Sequence, residues 1–259
     1  AGTWRFLPFL VFSLISGFVL WDLLLPGYVL TLDMAFAPNI KVGPALYGLD
    51  TVASWLPIVF ILNFFNYILP MWVIEKILLF LIFFFSGVFA YRLNPSRSLM
   101  GKYYAGFIYM LNPFVFVRFM IGHPYLLMSY ALMPLAVLAI IDFLENATYL
   151  RTVKVVLILA LIGFFSLHVL LLILFLGLIL LCFKLLRDGF SLRILGYTSL
   201  ALGTFLSLNI FWIIPSILWG GGPVVSGISY TDLQVFTSRV WGAGPNIFFS
   251  LVSMHGFWR

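Results

Sequence analysis

Apolar residues along this chain come in long unbroken runs, and the polar ones collect in short islands between them. Phe6 to Leu25 is almost wholly apolar, and the chain turns apolar again after Thr51. No run alternates every second residue for long, so helices are favoured over barrel strands. A spanning helix takes about 20 mostly apolar residues. That length predicts spans at 5–25, 73–92, 100–117 (interrupted near Asn112-Pro113), 124–144 and 193–219. The run 153–187 is too long for one span. It predicts a hairpin, with spans at 152–165 and 168–186 and a turn near Phe165-Ser166-Leu167-His168. Seven spans follow.

The stretch VASWLPIVFILNFFNYILP, Val52 to Pro70, is apolar enough to cross as well. Charge argues against it. With the N-terminus cytoplasmic and this stretch not crossing, nine of the 14 basic residues fall on the cytoplasmic side. They are Arg5, Arg92, Arg97, Lys102, Arg151, Lys154, Lys184, Arg187 and Arg193. The other side keeps Lys41, Lys76, Arg118, Arg239 and Arg259. Basic residues concentrate in cytoplasmic loops, and a crossing at 52–70 would invert every later span. Trp55, Asn63, Asn66 and Tyr67 suit the membrane interface, and Pro57 and Pro70 bracket the segment.

The expected fold is therefore all-α. It is a polytopic transmembrane helical bundle of about seven spans, with an interfacial or re-entrant helix in the first outer loop, 26–72. Residues 1–219 form the membrane module. Residues 220–259 form a polar, glycine-rich extracytoplasmic tail, expected to begin a further region.

Composition agrees. Of 259 residues, 64% are hydrophobic and only 8% charged, against roughly a quarter charged in a soluble domain. Mean hydropathy is +1.16. The chain is expected in the cell membrane as a multi-pass protein. Its net charge of +6 reports orientation here and is no sign of a nucleic-acid partner. The single cysteine, Cys182, excludes an internal disulfide and a cysteine metal site; inside an apolar run it reads as a small buried hydrophobe. There is no Walker-type loop, HExxH or CxxC. GGGP at 220–223 follows a span and does not open a phosphate-binding helix. Asn146-Ala147-Thr148 fits the glycosylation sequon but falls on the cytoplasmic side.

The polar residues that could carry chemistry gather on the outer side. Asp33, in TLDMAFAP, follows the first span. A carboxylate at the membrane surface can stay ionised while facing a cleft, which suits a general base; a helix cap or solvated loop residue is the plainer reading. Asp50, in GLDT, reads as a helix N-cap, and Asp22 sits at the end of span 1. In VRFMIGHPY, Arg118 either snorkels to headgroups or binds a phosphate. His123 precedes Pro124, which suits a first helical turn, and it could donate to a phosphate or a sugar hydroxyl. His168 lies in the outer hairpin turn. Glu75 and Lys76 are adjacent on span 2, cannot face each other on a helix, and so each needs another partner.

The order of elements carries a resemblance. Asp33 in PGYVLTLDMAFAP, then ILPMWVIEKILLFLIFFFSGVFAYRL, then YAGFIYMLNPFVFVRFMIGHPYLLMSYALMPLAVLA resembles the N-terminal half of the GT-C superfamily of polytopic glycosyltransferases. It is most similar to the arabinofuranosyltransferase-like group and its uncharacterised prokaryotic relatives. The likeness covers residues 20–145. It implies a seven-span module that takes a sugar from a polyprenyl-phosphate donor to a glycan or lipid acceptor on the non-cytoplasmic face. An acidic residue of the first outer loop would be the base, often with a divalent cation (Mg or Mn). Carried over, that makes Asp33 the catalytic residue and a possible metal ligand, with Arg118 and His123 near the donor phosphate; Asp50 and His168, on the same outer side, are further candidate substrate contacts. Many members pair two acidic residues in this loop, whereas Met34 follows Asp33 here. Two other functions fit a bundle of this kind: a non-catalytic assembly subunit, and a transporter or flippase of a lipid-linked substrate. The transporter predicts polar groups in mid-span, and the spans are nearly free of them.

Overall fold

In the computed structural model, residues 6–34, 36, 53–218, 230, 231, 234, 240 and 246–252 are described. Among them there are helices and no strands. In chain order they are α1 Leu7–Val19, α2 Leu56–Asn66, α3 Met71–Leu93, α4 Leu99–Met110, α5 Pro113–Ile121, α6 Pro124–Glu145, α7 Tyr149–Phe165, α8 Leu167–Asp188, α9 Leu192–Leu218 and the short α10 Ile247–Val252. A 3-10 turn, Trp21–Leu24, follows α1.

Five stretches are long and apolar enough to cross a membrane: α3, α4 with α5 (Leu99–Ile121), α6, α8 and α9. The expected span at 5–25 is a shorter helix of 13 residues closed by the 3-10 turn. α7 has 17 residues. The segment expected to lie at the interface is α2, of 11 residues. At 1.5 Å per residue it reaches roughly 16 Å, about half of a bilayer core. Its buried residues Ile58 and Leu62 pack with Met71 and Ile74 at the start of α3.

Local signals set the helix ends. Ser166 is extended and splits the long apolar run into α7 and α8, at the turn the sequence predicts. Pro124 opens α6 directly after His123. The break between α4 and α5 is stitched by one side chain. Asn112 caps α5, its Oδ1 accepting from Val115 N at 3.0 Å. Its two Nδ2 hydrogens are shared among Tyr109 O at 2.9 Å, Ile108 O at 3.2 Å and the Tyr130 hydroxyl of α6 at 2.8 Å. Tyr109 and Tyr130 stack at 4.2 Å and donate to each other's backbone carbonyls. Side-chain hydrogen bonds thus bridge the interruption at Asn112-Pro113, as broken backbone inside a membrane span calls for. Losing a cap and an interhelical bond removes about 1–3 kcal/mol. Asn112→Ala is expected to lower thermal stability in detergent by that amount, and an unchanged unfolding midpoint would refute the stitching role.

α3 and α6 form the centre, and both contribute buried residues to one core. Lipid offers helices no hydrophobic drive to associate, so close packing and hydrogen bonds hold them. Phe12 of α1 is fully buried and lies where α3 and α4 approach at Gly87 and Gly106. A Cβ at Gly106 would fall 2.4 Å from the Phe12 ring and 2.7 Å from Gly87 O, so only glycine admits this junction. Ser129 of α6 donates to Ile162 O of α7 at 3.0 Å, which runs these two helices antiparallel. The outer flank of α8 exposes Leu171, Leu172, Phe175, Phe183 and Leu186, an apolar surface that suits lipid. Cys182 is exposed on the same helix, which corrects the expectation of a buried hydrophobe: α8 shows the bundle only a narrow stripe.

The bundle has two unlike ends. One carries Arg92, Arg97, Lys102, Arg151, Lys154, Lys184, Arg187 and Arg193. Arg92 lies over the Phe9 ring, and Arg193 donates to Ala147 O. The other end holds the 3-10 turn, the chain to Met34, α2, the turn between α5 and α6, and Ser166. Among the described residues it keeps Lys76 and Arg118.

Candidate functional site

The stretch Thr31-Leu32-Asp33-Met34 lies across the turn that closes α5, and a glycine makes the fit possible. Gly122 has φ +97 and ends α5 in the left-handed conformation, the usual place for glycine after a helix. Its N–H donates to Arg118 O and Phe119 O, and His123 N donates to Arg118 O. A Cβ on Gly122 would sit 2.1 Å from Thr31 Oγ1 and 2.6 Å from Met34 N. The loop is fastened there by Asp33 N donating to Ile121 O at 2.8 Å. Thr31 Oγ1 donates to the same carbonyl at 3.3 Å. Met34 is buried. With the backbone so placed, the Asp33 side chain reaches His123.

Asp33 and His123, 90 positions apart, meet at 2.9 Å between Oδ2 and Nε2. The other ring nitrogen, Nδ1, lies 3.4 Å from Arg118 Nη1. A guanidinium only donates. Nδ1 is then the acceptor, Nε2 carries the proton, and Nε2–H donates to the carboxylate. The chain of contacts runs Arg118 to His123 to Asp33, one step weak and one charge-assisted. Arg118 also lies 5.7 Å over the Phe114 ring. Asp33 is 46% exposed, and among the described residues its Oδ1 accepts no hydrogen bond. One carboxylate oxygen is thus oriented by His123.

Three of the residues singled out in the sequence converge, then: Asp33, Arg118 and His123. Both nitrogens of His123 are engaged by protein. His168 sits exposed in the first turn of α8 at the same end of the bundle, with no hydrogen bond or ion pair among the described residues. Asp50 lies outside the described residues. Asp22 is exposed in the 3-10 turn.

Tyr125, two residues after His123, belongs to a row of rings. Phe36 and Tyr125 lie 6.3 Å apart, and Tyr125 and Phe165 6.2 Å. On the lipid side, a groove of about 530 Å3 runs along the helix that bears Arg118, lined by Val19, Phe83, Met110, Phe116, Phe119 and Met120 among others. Two further apolar grooves, at Phe12–Tyr103 and at Tyr104–Tyr130, line the flanks of α4.

A divalent cation such as Mg or Mn wants several oxygen ligands. Among the described residues no three His, Cys, Asp or Glu come together, and Asp33 already gives one oxygen to His123. The described residues alone do not make a cation site.

Sequence reasoning left the partners of Glu75 and Lys76 open, and both lie in the stretch of chain after α1. Glu75 Oε2 accepts from Val29 N at 3.1 Å, and Lys76 Nζ donates to Leu23 O. It also passed over Gly122 and Thr31. The legible signal was glycine directly before His123-Pro124, where one helix must stop and the next begin.

Compared with known families, curated proteins and solved structures, the chain matches no family model, no curated protein and no solved structure.

Proposed function

We propose that this chain is a membrane glycosyltransferase of GT-C type, moving a sugar from a polyprenyl-phosphate donor to an acceptor hydroxyl on the non-cytoplasmic face. The observation that carries the reading is the Asp33–His123 contact backed by Arg118. It joins a candidate base to a cation at the loop end of a bundle whose other end is basic. By the distribution of basic residues that other end, with the N-terminus, faces the cytoplasm.

In this reading Asp33 Oδ1 takes the proton of the acceptor hydroxyl. The acceptor oxygen forms a bond to the anomeric carbon as the bond from that carbon to the phosphate oxygen breaks. The electron pair leaves with polyprenyl phosphate, whose charge Arg118 meets. His123 holds Oδ2, so the lone pairs of Oδ1 are aimed at the acceptor. The donor's lipid tail approaches from the bilayer along the groove beside α5.

Membranes bearing the protein, incubated with a panel of radiolabelled polyprenyl-phosphate sugars, are expected to release polyprenyl phosphate and label an acceptor fraction. Arg118→Gln is expected to slow this by roughly 10- to 100-fold, the loss of one charged contact to a transition state. A wild type that leaves every donor intact would sink the proposal. An Arg118→Gln variant as fast as wild type would remove Arg118 from it.

A further inference from the structure

The loop that presents Asp33 is held from beneath by two adjacent ionisable side chains. Glu75 and Lys76 are 0% and 8% exposed, although each bears an ionisable head near one end of a membrane helix. Such residues are seldom buried without a task. Neighbours on a helix point about 100° apart, and these two reach different places on one strand of chain. Lys76 Nζ donates to Leu23 O, just after α1, and Glu75 Oε2 accepts from Val29 N. Val29 is itself buried. Its N–H belongs to no helix, and a buried N–H without an acceptor is costly. Consecutive residues thus supply one donor and one acceptor to a stretch of chain that has no ladder of its own.

Downstream of Val29 the chain runs straight into the Thr31–Met34 clamp on Gly122. The anchored points are therefore Leu23, Val29 and the Gly122 turn, and Asp33 follows the first two and lies within the third. From this geometry we infer that Glu75 is a positioning residue: by accepting from Val29 N it sets the register of the loop so that Asp33 meets His123. The positioning of a loop stands on the contacts themselves, and its consequence for sugar transfer rests on the reading of Asp33 as the base.

The test is a shielding assay with a readout independent of transfer. In a Cys182→Ser background, Met34→Cys reports the loop, because Met34 is 2% exposed. Ala131→Cys, 0% exposed in α6, reports the core of the bundle. Glu75→Ala is expected to raise the maleimide labelling rate at position 34 by at least tenfold and leave position 131 shielded. Glu75→Gln keeps an oxygen for Val29 N and is expected to restore the shielding. Unchanged labelling at 34 in Glu75→Ala overturns the inference. So does labelling at 131 that rises equally, since the effect is then on the bundle. A Glu75→Gln variant as reactive as Glu75→Ala overturns the hydrogen-bond anchor too. Where wild type turns over lipid-linked sugar, Glu75→Ala is expected to lose kcat with little change in KM, and Glu75→Gln to recover it. If wild type turns over none, the shielding result still decides the anchor, while the glycosyltransferase proposal fails by itself.

Discussion

Asp33→Asn is expected to reduce sugar transfer by roughly 10²- to 10⁴-fold, the usual contribution of a positioned general base. The substitution removes little besides basicity. An asparagine carbonyl oxygen can still accept from His123 Nε2, so the contact across 90 residues survives and the loop keeps its place on Ile121 O. What is lost is a group able to take the acceptor proton. The donor is held elsewhere in this scheme, by Arg118 and the apolar groove, so KM for the donor should move little while kcat collapses. Rates of polyprenyl phosphate release at equal protein level in the membrane provide the measurement. Equal turnover by wild type and Asp33→Asn would take the catalytic role from Asp33.

Gly122→Val is expected to have the largest structural effect of any single change near the site. Two independent penalties fall on one position. The left-handed conformation at φ +97 is strained for a β-branched residue. The added Cβ would also lie 2.6 Å from Met34 N, a backbone atom that cannot swing aside, and 2.1 Å from Thr31 Oγ1. Together these amount to about 2–4 kcal/mol if the loop stays in place. If the loop lifts instead, Asp33 leaves His123 and transfer falls at least as far as in Asp33→Asn. Gly17→Ala is the matching control: that helical glycine has nothing within 4 Å of a would-be Cβ, so alanine should be neutral or slightly stabilising. Thermal unfolding in detergent and transfer assays on both variants check the pair. Gly122→Val matching Gly17→Ala in both would show that the loop does not rest on this turn.

The run lengths alone disclosed most of the helices. Ser166, Asn112-Pro113 and His123-Pro124 each marked a boundary that the fold respects, because capping and proline geometry are local. α2 was recognisable as a short helix outside the series of long ones. Lengths near the limit were harder to read: α1 stops at Val19 and hands over to a 3-10 turn, where the apolar run itself continues to Leu25. Hydropathy does not register where a helix unwinds. The side on which a residue faces was equally hidden, as Cys182 shows, because an apolar residue fits lipid and protein core alike.

The candidate site divides the same way. Asp33, Arg118 and His123 each stood out in the sequence as a polar group on the outer side of an apolar chain, and scarcity made them conspicuous. Their meeting could not be read there. It depends on a loop laid against Gly122 and on Glu75 reaching Val29, contacts between segments far apart in the chain and set by backbone geometry.

By itself the sequence determined that this is a helical membrane protein, where its helices break, and which few polar residues its loop end can offer, because burial in lipid and helix capping act through composition and near neighbours. Only the tertiary structure decided that His123 turns one nitrogen to Asp33 and the other to Arg118, and that Glu75 and Lys76, both buried on α3, bond to the stretch of chain after α1. Hydrogen bonds of this kind need positions fixed to a few tenths of an ångström, and packing of distant segments is what fixes them.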